Sequence, residues 1–340
     1  MNNYSWPVVG HSKIQQFLQK SLVNDKLAHA YLFSGQAHLG KSLVAQNFIG
    51  SILCRDYHEQ IKSEAKNFPC GECIFCQQLD KGIHPDIYKL NKEEDKKNIS
   101  VEQVREMHKF LNLSSFLNSY KIAVIEDAQD LSEAAQNALL KILEEPAPKT
   151  ILILLVSDYN FLLPTISSRC QLIKFWPLSE EEIFHHLIGL GTSREQAKIF
   201  TALANGQIGL AINYYQKPEL FNAYLEETGR ILDVFDQDLA ARFQIMGKIF
   251  QEAKDSPETA KFIQGELNYW QLILRDILTS KNNLNNLLVN LYFQEKIKTL
   301  ATKYSQPRIL ALLSQVEQIK RYLNYNINPR LAVENLLINL

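Results

Sequence analysis

Three cysteines stand at two-residue intervals in Cys70-Gly71-Glu72-Cys73-Ile74-Phe75-Cys76, and Cys54 lies sixteen positions before the first of them. Nested C-x-x-C turns aim their sulfurs at one point, and four thiolates suit a tetrahedral Zn²⁺. Cys54, Cys70, Cys73 and Cys76 are therefore the expected ligands. His58, one helical turn beyond Cys54, is the rival for the fourth place. A closed four-ligand site leaves no vacancy for a substrate, so the zinc reads as structural. The fifth cysteine, Cys170, reads as a small buried side chain.

A second group points to phosphate chemistry. Gly35-Gln36-Ala37-His38-Leu39-Gly40-Lys41-Ser42 matches the phosphate-binding loop pattern without a mismatch. Its glycines let successive backbone N–H groups curl around phosphate oxygens, and the helix that follows adds the partial charge of its N-terminus. Gly35, Gly40, Lys41 and Ser42 are the nucleotide-binding candidates. Lys41 would reach the β- and γ-phosphates, and Ser42 would hold Mg²⁺. Glu126 and Asp127 close an apolar run, Ile122 to Ile125. There the first carboxylate would hold Mg²⁺ through water and the second would polarise an attacking water. Most ATPases of this layout have Asp before Glu. The inverted pair puts the shorter side chain at the water-activating position and predicts slow hydrolysis.

Elements must position these groups. Ala30 to Ser34, Ile122 to Ile125 and Ile151 to Val156 read as buried strands. The phosphate loop falls between the first of these and a helix whose Val44, Phe48 and Ile52 recur every fourth residue. Arg55 to Pro69 reads as a polar insertion, and Lys92 to Asn98 as a solvated loop. Ser100-Val101-Glu102-Gln103 is a capping box that opens a helix to about Leu113, and a second helix spans about Ser132 to Glu145 before Pro146. Strand and helix alternate as in a parallel sheet covered on both faces. After Pro177 the strand signal fades. Capping boxes at Ser179-Glu182 and Thr192-Glu195, with Gly189, Gly191 and Gly206 as breakers, outline three short helices ending near Lys217-Pro218. The remainder reads as helical, with Ser256-Pro257 and Asn328-Pro329 as N-cap plus proline starts.

The chain has 340 residues, room for two or three domains, and 46% hydrophobic against 21% charged residues excludes a largely disordered chain. Lys plus Arg is 36 and Asp plus Glu 37, a net charge of -1, which excludes a bulk neutraliser of nucleic-acid phosphates. The longest purely apolar run, Ile151 to Val156, is far below the roughly 20 residues of a membrane span. The first residues have neither a basic start nor an apolar stretch of signal-peptide type. A cytoplasmic protein without membrane contact is expected, and reduced thiols in that compartment favour metal over disulfides.

Together, His29-Ala30-Tyr31-Leu32-Phe33-Ser34-Gly35, the cysteine cluster, His84-Pro85-Asp86, Asn137-Ala138-Leu139-Leu140-Lys141-Ile142-Leu143-Glu144-Glu145-Pro146 and Ser168-Arg169-Cys170 resemble the bacterial clamp-loader family of AAA+ proteins of DNA polymerase III. The order Ile125-Glu126-Asp127-Ala128 resembles its delta-prime branch, whereas the gamma/tau motor branch has Asp-Glu. The resemblance implies three domains: residues 1–177, a RecA-like α/β AAA+ domain carrying a zinc module at about 54–76; 178–217, a helical lid; and 218–340, an all-α collar for oligomerisation. It implies a hetero-oligomer with gamma/tau and delta subunits that loads a sliding clamp onto primer–template DNA. It also implies that Arg169 enters a neighbour's ATP site as a finger and that Ser157 is the sensor residue at a strand end. The lid position where motor subunits place an arginine is Gly209. ATP with Mg²⁺ is the implied ligand, at a site built to bind but poorly built to hydrolyse. The gamma/tau-type motor ATPase is the alternative reading.

Overall fold

The computed structural model describes residues 6–54, 69–93, 96–115, 119–253, 258–323 and 328–340. It divides into two compact units, Met1–Ile183 with Gly206–Gly209, and Phe184–Asn205 with Leu210–Leu340.

The first unit is built on five parallel strands: β1 Ala30–Ser34, β2 Ile87–Leu90, β3 Lys121–Ile125, β4 Thr150–Val156 and β5 Gln171–Lys174, in the order β2-β3-β4-β1-β5. Its helices are α1 Ser12–Val23, α2 Lys41–Leu53, α3 Ile74–Asp80, α4 Val101–Leu111, α5 Glu133–Glu144 and the short α6 Pro164–Ser167. Alternate residues of each inner strand enter opposite cores. Tyr31, Phe33, Ile122, Val124, Ile153 and Leu155 pack with α1, α2 and the cysteine segment. Ala30, Leu32, Ala123, Ile125, Leu152 and Leu154 pack with α4 and α5. Burial on both faces explains why β1, β3 and β4 are continuous apolar runs.

The three inner strands lie where the apolar runs predict them. The two edge strands, β2 and β5, carry no such signal, because both include residues that are only half-buried or exposed. His84-Pro85-Asp86 leads into β2: the Asp86 carbonyl accepts the Ile122 N–H at 2.9 Å, and its buried carboxylate lies 3.6 Å from the Lys121 ammonium. The capping box at Ser100 and Gln103 forms as expected, and its helix stops at Leu111. Ser179 and Glu182 also exchange hydrogen bonds as a box. At the next helix the frame shifts by one residue. Ser193, not Thr192, accepts from Gln196 N–H, and the Thr192 residue is buried instead. Cys170 is half-buried on the α4/α5 side of the sheet rather than fully enclosed, and burial pushes its thiol up to about 12. The insertion at 55–68 with His58, and Ser256-Pro257, lie outside the described residues.

After the sheet the described residues form helices and no further strand: α7 Glu180–Gly189, α8 Arg194–Ala204, α9 Ile208–Gln216, α10 Pro218–Val234, α11 Leu239–Ala253, α12 Glu258–Lys281, α13 Gln294–Lys303, α14 Gln306–Tyr322 and α15 Pro329–Ile338. The Asn328 side chain caps α15 ahead of Pro329, as its sequence predicts. Trp270, Ile273, Leu274 and Ile277 of α12 are fully buried in the core of the second unit. Among the described residues no helix is long and apolar enough to cross a membrane.

One buried polar joint closes this core. Asp276 is fully buried and accepts from Val289 N–H at 3.1 Å, Asn290 N–H at 2.7 Å and Asn290 Nδ2 at 2.8 Å, while Asn290 Oδ1 accepts the Tyr224 hydroxyl at 2.6 Å. Removing the carboxylate strands three donors. Asp276→Ala is expected to cost about 2–4 kcal/mol of stability, and Tyr224→Phe about 1 kcal/mol, read from urea unfolding midpoints at constant slope.

Candidate nucleotide site and candidate metal centre

The phosphate loop leaves the end of β1, the strand at which the sheet order reverses, and ligands of open α/β sheets gather at such crevices. Gly35 N–H continues the ladder to Val156 O at 3.1 Å. A Cβ on Gly35 would stand 2.6 Å from the Phe175 carbonyl oxygen, so the segment after β5 can lie against the loop only where residue 35 is glycine. Leu39, 1% exposed, pins the loop into the first core, and α2 starts at Lys41. The first amides of that helix have no intrahelical acceptor and carry its positive end.

Lys41 Nζ donates to the carbonyls of Gly35 and, at 2.7 Å, Gln36. Burial lowers its pKa, and the charge of Asp127 opposes that shift. The ammonium is thus held over its own loop by neutral oxygens that phosphate oxygens would replace with stronger, charge-assisted bonds.

Asp127 follows β3 in a left-handed conformation, φ 50°, and is exposed, whereas Glu126 is half-buried with its N–H on Leu90 O at 3.1 Å. Gln129 ties the carboxylate to the neighbouring strand end. Its Nε2 donates to Asp127 Oδ1 at 2.9 Å, and its Oε1 accepts the Ser157 N–H at 3.2 Å. Ser157 therefore joins Asp127 through Gln129. Sequence reasoning passed over Gln129, and the signal was weak: an amide two residues after an acidic strand end. Gly209 meets the loop directly. Its N–H donates to His38 O at 2.8 Å, and a Cβ there would come within 3.0 Å of that oxygen.

Arg169 is at the end of α6, exposed, with Nη2 2.9 Å from Glu144 Oε1 and Nη1 on Thr165 O at 3.0 Å. Its partners belong to α5 and α6, not to the phosphate loop.

The four predicted sulfurs converge. Cys54, Cys70, Cys73 and Cys76 have all their Sγ atoms within 4.8 Å of one another, and those of Cys70 and Cys76 are 3.9 Å apart. Zinc–sulfur bonds of about 2.3 Å in a tetrahedron put sulfurs about 3.8 Å apart, so the donor set fits such an ion. The Cys73 N–H points at Cys70 Sγ at 3.3 Å, which stabilises charge on that sulfur. Burial pushes the Cys70 thiol up to about 11, and crowding by Cys54 with burial raises Cys76 further. Four thiolates this close need a cation, and the cluster is able to bind one.

A parallel α/β sheet with a lysine-bearing loop after one of its inner strands defines a phosphate-loop fold. Family models for the DNA polymerase III delta subunit match residues 10–179, and for its C-terminal part residues 240–340. The chain is 41% identical to the delta-prime subunit of Pseudomonas aeruginosa over 143 residues, 42% of each chain. It is 25% identical to the Bacillus subtilis delta-prime subunit over 96% of this chain and 95% of that one. Against B. subtilis tau it is 24% identical over 96% of this chain but 59% of tau. The chain belongs to the clamp-loader family of bacterial DNA polymerase III, among proteins of delta-prime type related to gamma and tau.

Metal analysis of the purified chain is expected to give about one bound ion, and Cys73→Ser to lose it together with several degrees of thermal midpoint. Protein made without chelators that carries no metal would overturn the assignment.

Proposed function

We propose that this chain is a stator of the clamp loader, of delta-prime type, that works as an assembly subunit more than as a motor. The observation that carries the reading is a complete phosphate loop against which Gly209 rests its backbone, with no guanidinium at that position. The inverted Glu126-Asp127 pair supports it. Gly35, Gly40, Lys41 and Ser42 would hold ATP with Mg²⁺, and Asp127, held by Gln129, would face the water side of the site with Ser157 beside it. Phosphoryl transfer spreads charge over oxygens that an arginine stabilises, and no such side chain comes from residue 209. The site binds and turns over slowly.

In this reading Arg169 serves a neighbouring subunit. Its guanidinium stands exposed and is held by one surface carboxylate, Glu144, and the Thr165 carbonyl, interactions weak enough to exchange for phosphate oxygens. The cysteine cluster holds a structural Zn²⁺. Residues 1–177, 178–217 and 218–340 act as nucleotide domain, lid and collar in a cytoplasmic complex with gamma/tau and delta subunits. Through that complex the chain meets the sliding clamp and primer–template DNA. The motor reading rests on one observation, the complete loop with its lysine in place, and turnover separates the two.

The isolated chain is expected to bind Mg·ATP, measured by calorimetry, and to lose binding in Lys41→Ala. Its steady-state hydrolysis should stay well below about 1 per second, the lower end of ordinary enzymes; a faster rate would make it a motor. In the assembled complex, Arg169→Ala is expected to leave this chain's folding and ATP binding intact while lowering DNA- and clamp-stimulated hydrolysis at the neighbouring site. The loss approaches the 10³-fold or more seen for fingers supplied in trans, and Arg169→Lys should rescue little. Full activity in a fully assembled Arg169→Ala complex would sink the finger assignment.

A further inference from the structure

The residue ahead of α1 makes a contact that no sequence motif announces. His11 Nε2 lies 2.8 Å from the carbonyl oxygen of Leu39, twenty-eight positions along the chain and in the middle of the phosphate loop. A carbonyl only accepts, so Nε2 carries the hydrogen. The same ring meets Phe175 edge-on, with centroids 4.9 Å apart, and Phe175 is the residue whose carbonyl lies against Gly35. One imidazole therefore touches the loop and the segment packed against the start of it.

His11 is itself held firmly. It sits in the left-handed region at φ 52°, directly after Gly10 at φ 67°, a turn that few side chains adopt. Gln15 fixes that turn by donating from Nε2 to Val8 O at 3.2 Å and Gly10 O at 2.7 Å. Burial lowers the His11 pKa against the opposing pull of the Leu39 carbonyl and Glu182.

We propose that His11 is a positioning residue for nucleoside triphosphate binding: its Nε2–H fixes the Leu39 carbonyl and so presets the loop whose amides would receive the phosphates. Loop amides that must be ordered by the ligand weaken its binding, and amides ordered beforehand do not. The ligand half of this inference rests on the nucleotide reading above; the strut half does not.

The test uses His11→Ala, His11→Gly and His11→Gln in the full chain. Alanine and glycine both remove the donor, but glycine relaxes the left-handed turn, so equal losses in the two assign the effect to the side chain. Glutamine restores an N–H donor of similar reach. Three quantities are read: amide hydrogen exchange across residues 36–42 without nucleotide, the Kd for Mg·ATP, and the thermal midpoint. The expectation is faster exchange confined to the loop and about tenfold weaker ATP binding in the alanine and glycine variants, the scale of one lost hydrogen bond. The midpoint should barely move, and glutamine should recover most of both effects. Unchanged loop exchange in His11→Ala overturns the proposal. So does a loss of affinity that merely follows a fallen midpoint and is the same in glutamine. If the wild-type chain binds no ATP while His11→Ala still loosens the loop, the strut stands and the nucleotide reading falls.

Discussion

The close approach of two backbones, Gly35 and Phe175, governs the first unit. With 2.6 Å between a Cβ at residue 35 and the Phe175 oxygen, no other residue type lets the chain leaving β5 cross the start of the phosphate loop. That crossing follows from the sheet order, in which β1 lies between β4 and β5 and all strands point the same way. Once the chain runs there, Leu178 takes the Gly206 carbonyl as its N–H acceptor at 2.9 Å, and Gly209 reaches His38. A parallel sheet puts its chemistry at one edge, and this approach decides what else arrives at that edge.

At the edge, charge is held by neutral partners. Lys41 rests on two carbonyls and feels Asp127 only through space. Asp127 is held by an amide, Gln129, instead of by a cation. A half-buried ammonium and an exposed carboxylate that do not pair directly each keep room for a new counter-charge, as a site that exchanges charged ligands would need. The Arg169–Glu144 ion pair stands apart, between a residue just past α6 and the end of α5, and is exposed on both sides.

The cysteine cluster belongs to a different economy. Cys54, Cys73 and Cys76 are buried within the core that also takes Phe48, Leu53 and Leu79. Short α3, seven residues long, could not hold its place by helix propensity alone. A metal ion cross-linking the cysteines at its N-terminus would supply the missing rigidity, and the four converging sulfurs are positioned to hold one.

What the sequence determined by itself was local or compositional. The phosphate loop, the spacing of Cys70, Cys73 and Cys76, three inner strands and the caps at Ser100, Ser179 and Asn328 are each written within about ten residues. Continuous apolar runs and capping residues act over that range. Tertiary structure decided what depends on partners far along the chain. Edge strands β2 and β5 are strands because β3 and β1 supply their hydrogen bonds, not because their own residues favour it. The cap at Ser193 instead of Thr192 follows from burial of Thr192. Gln129 to Ser157, His11 to Leu39 and Gly209 to His38 join residues 28 positions apart or more. No pattern in a single sequence encodes such pairs, because each exists only when the folded sheet brings two separate turns within hydrogen-bonding distance.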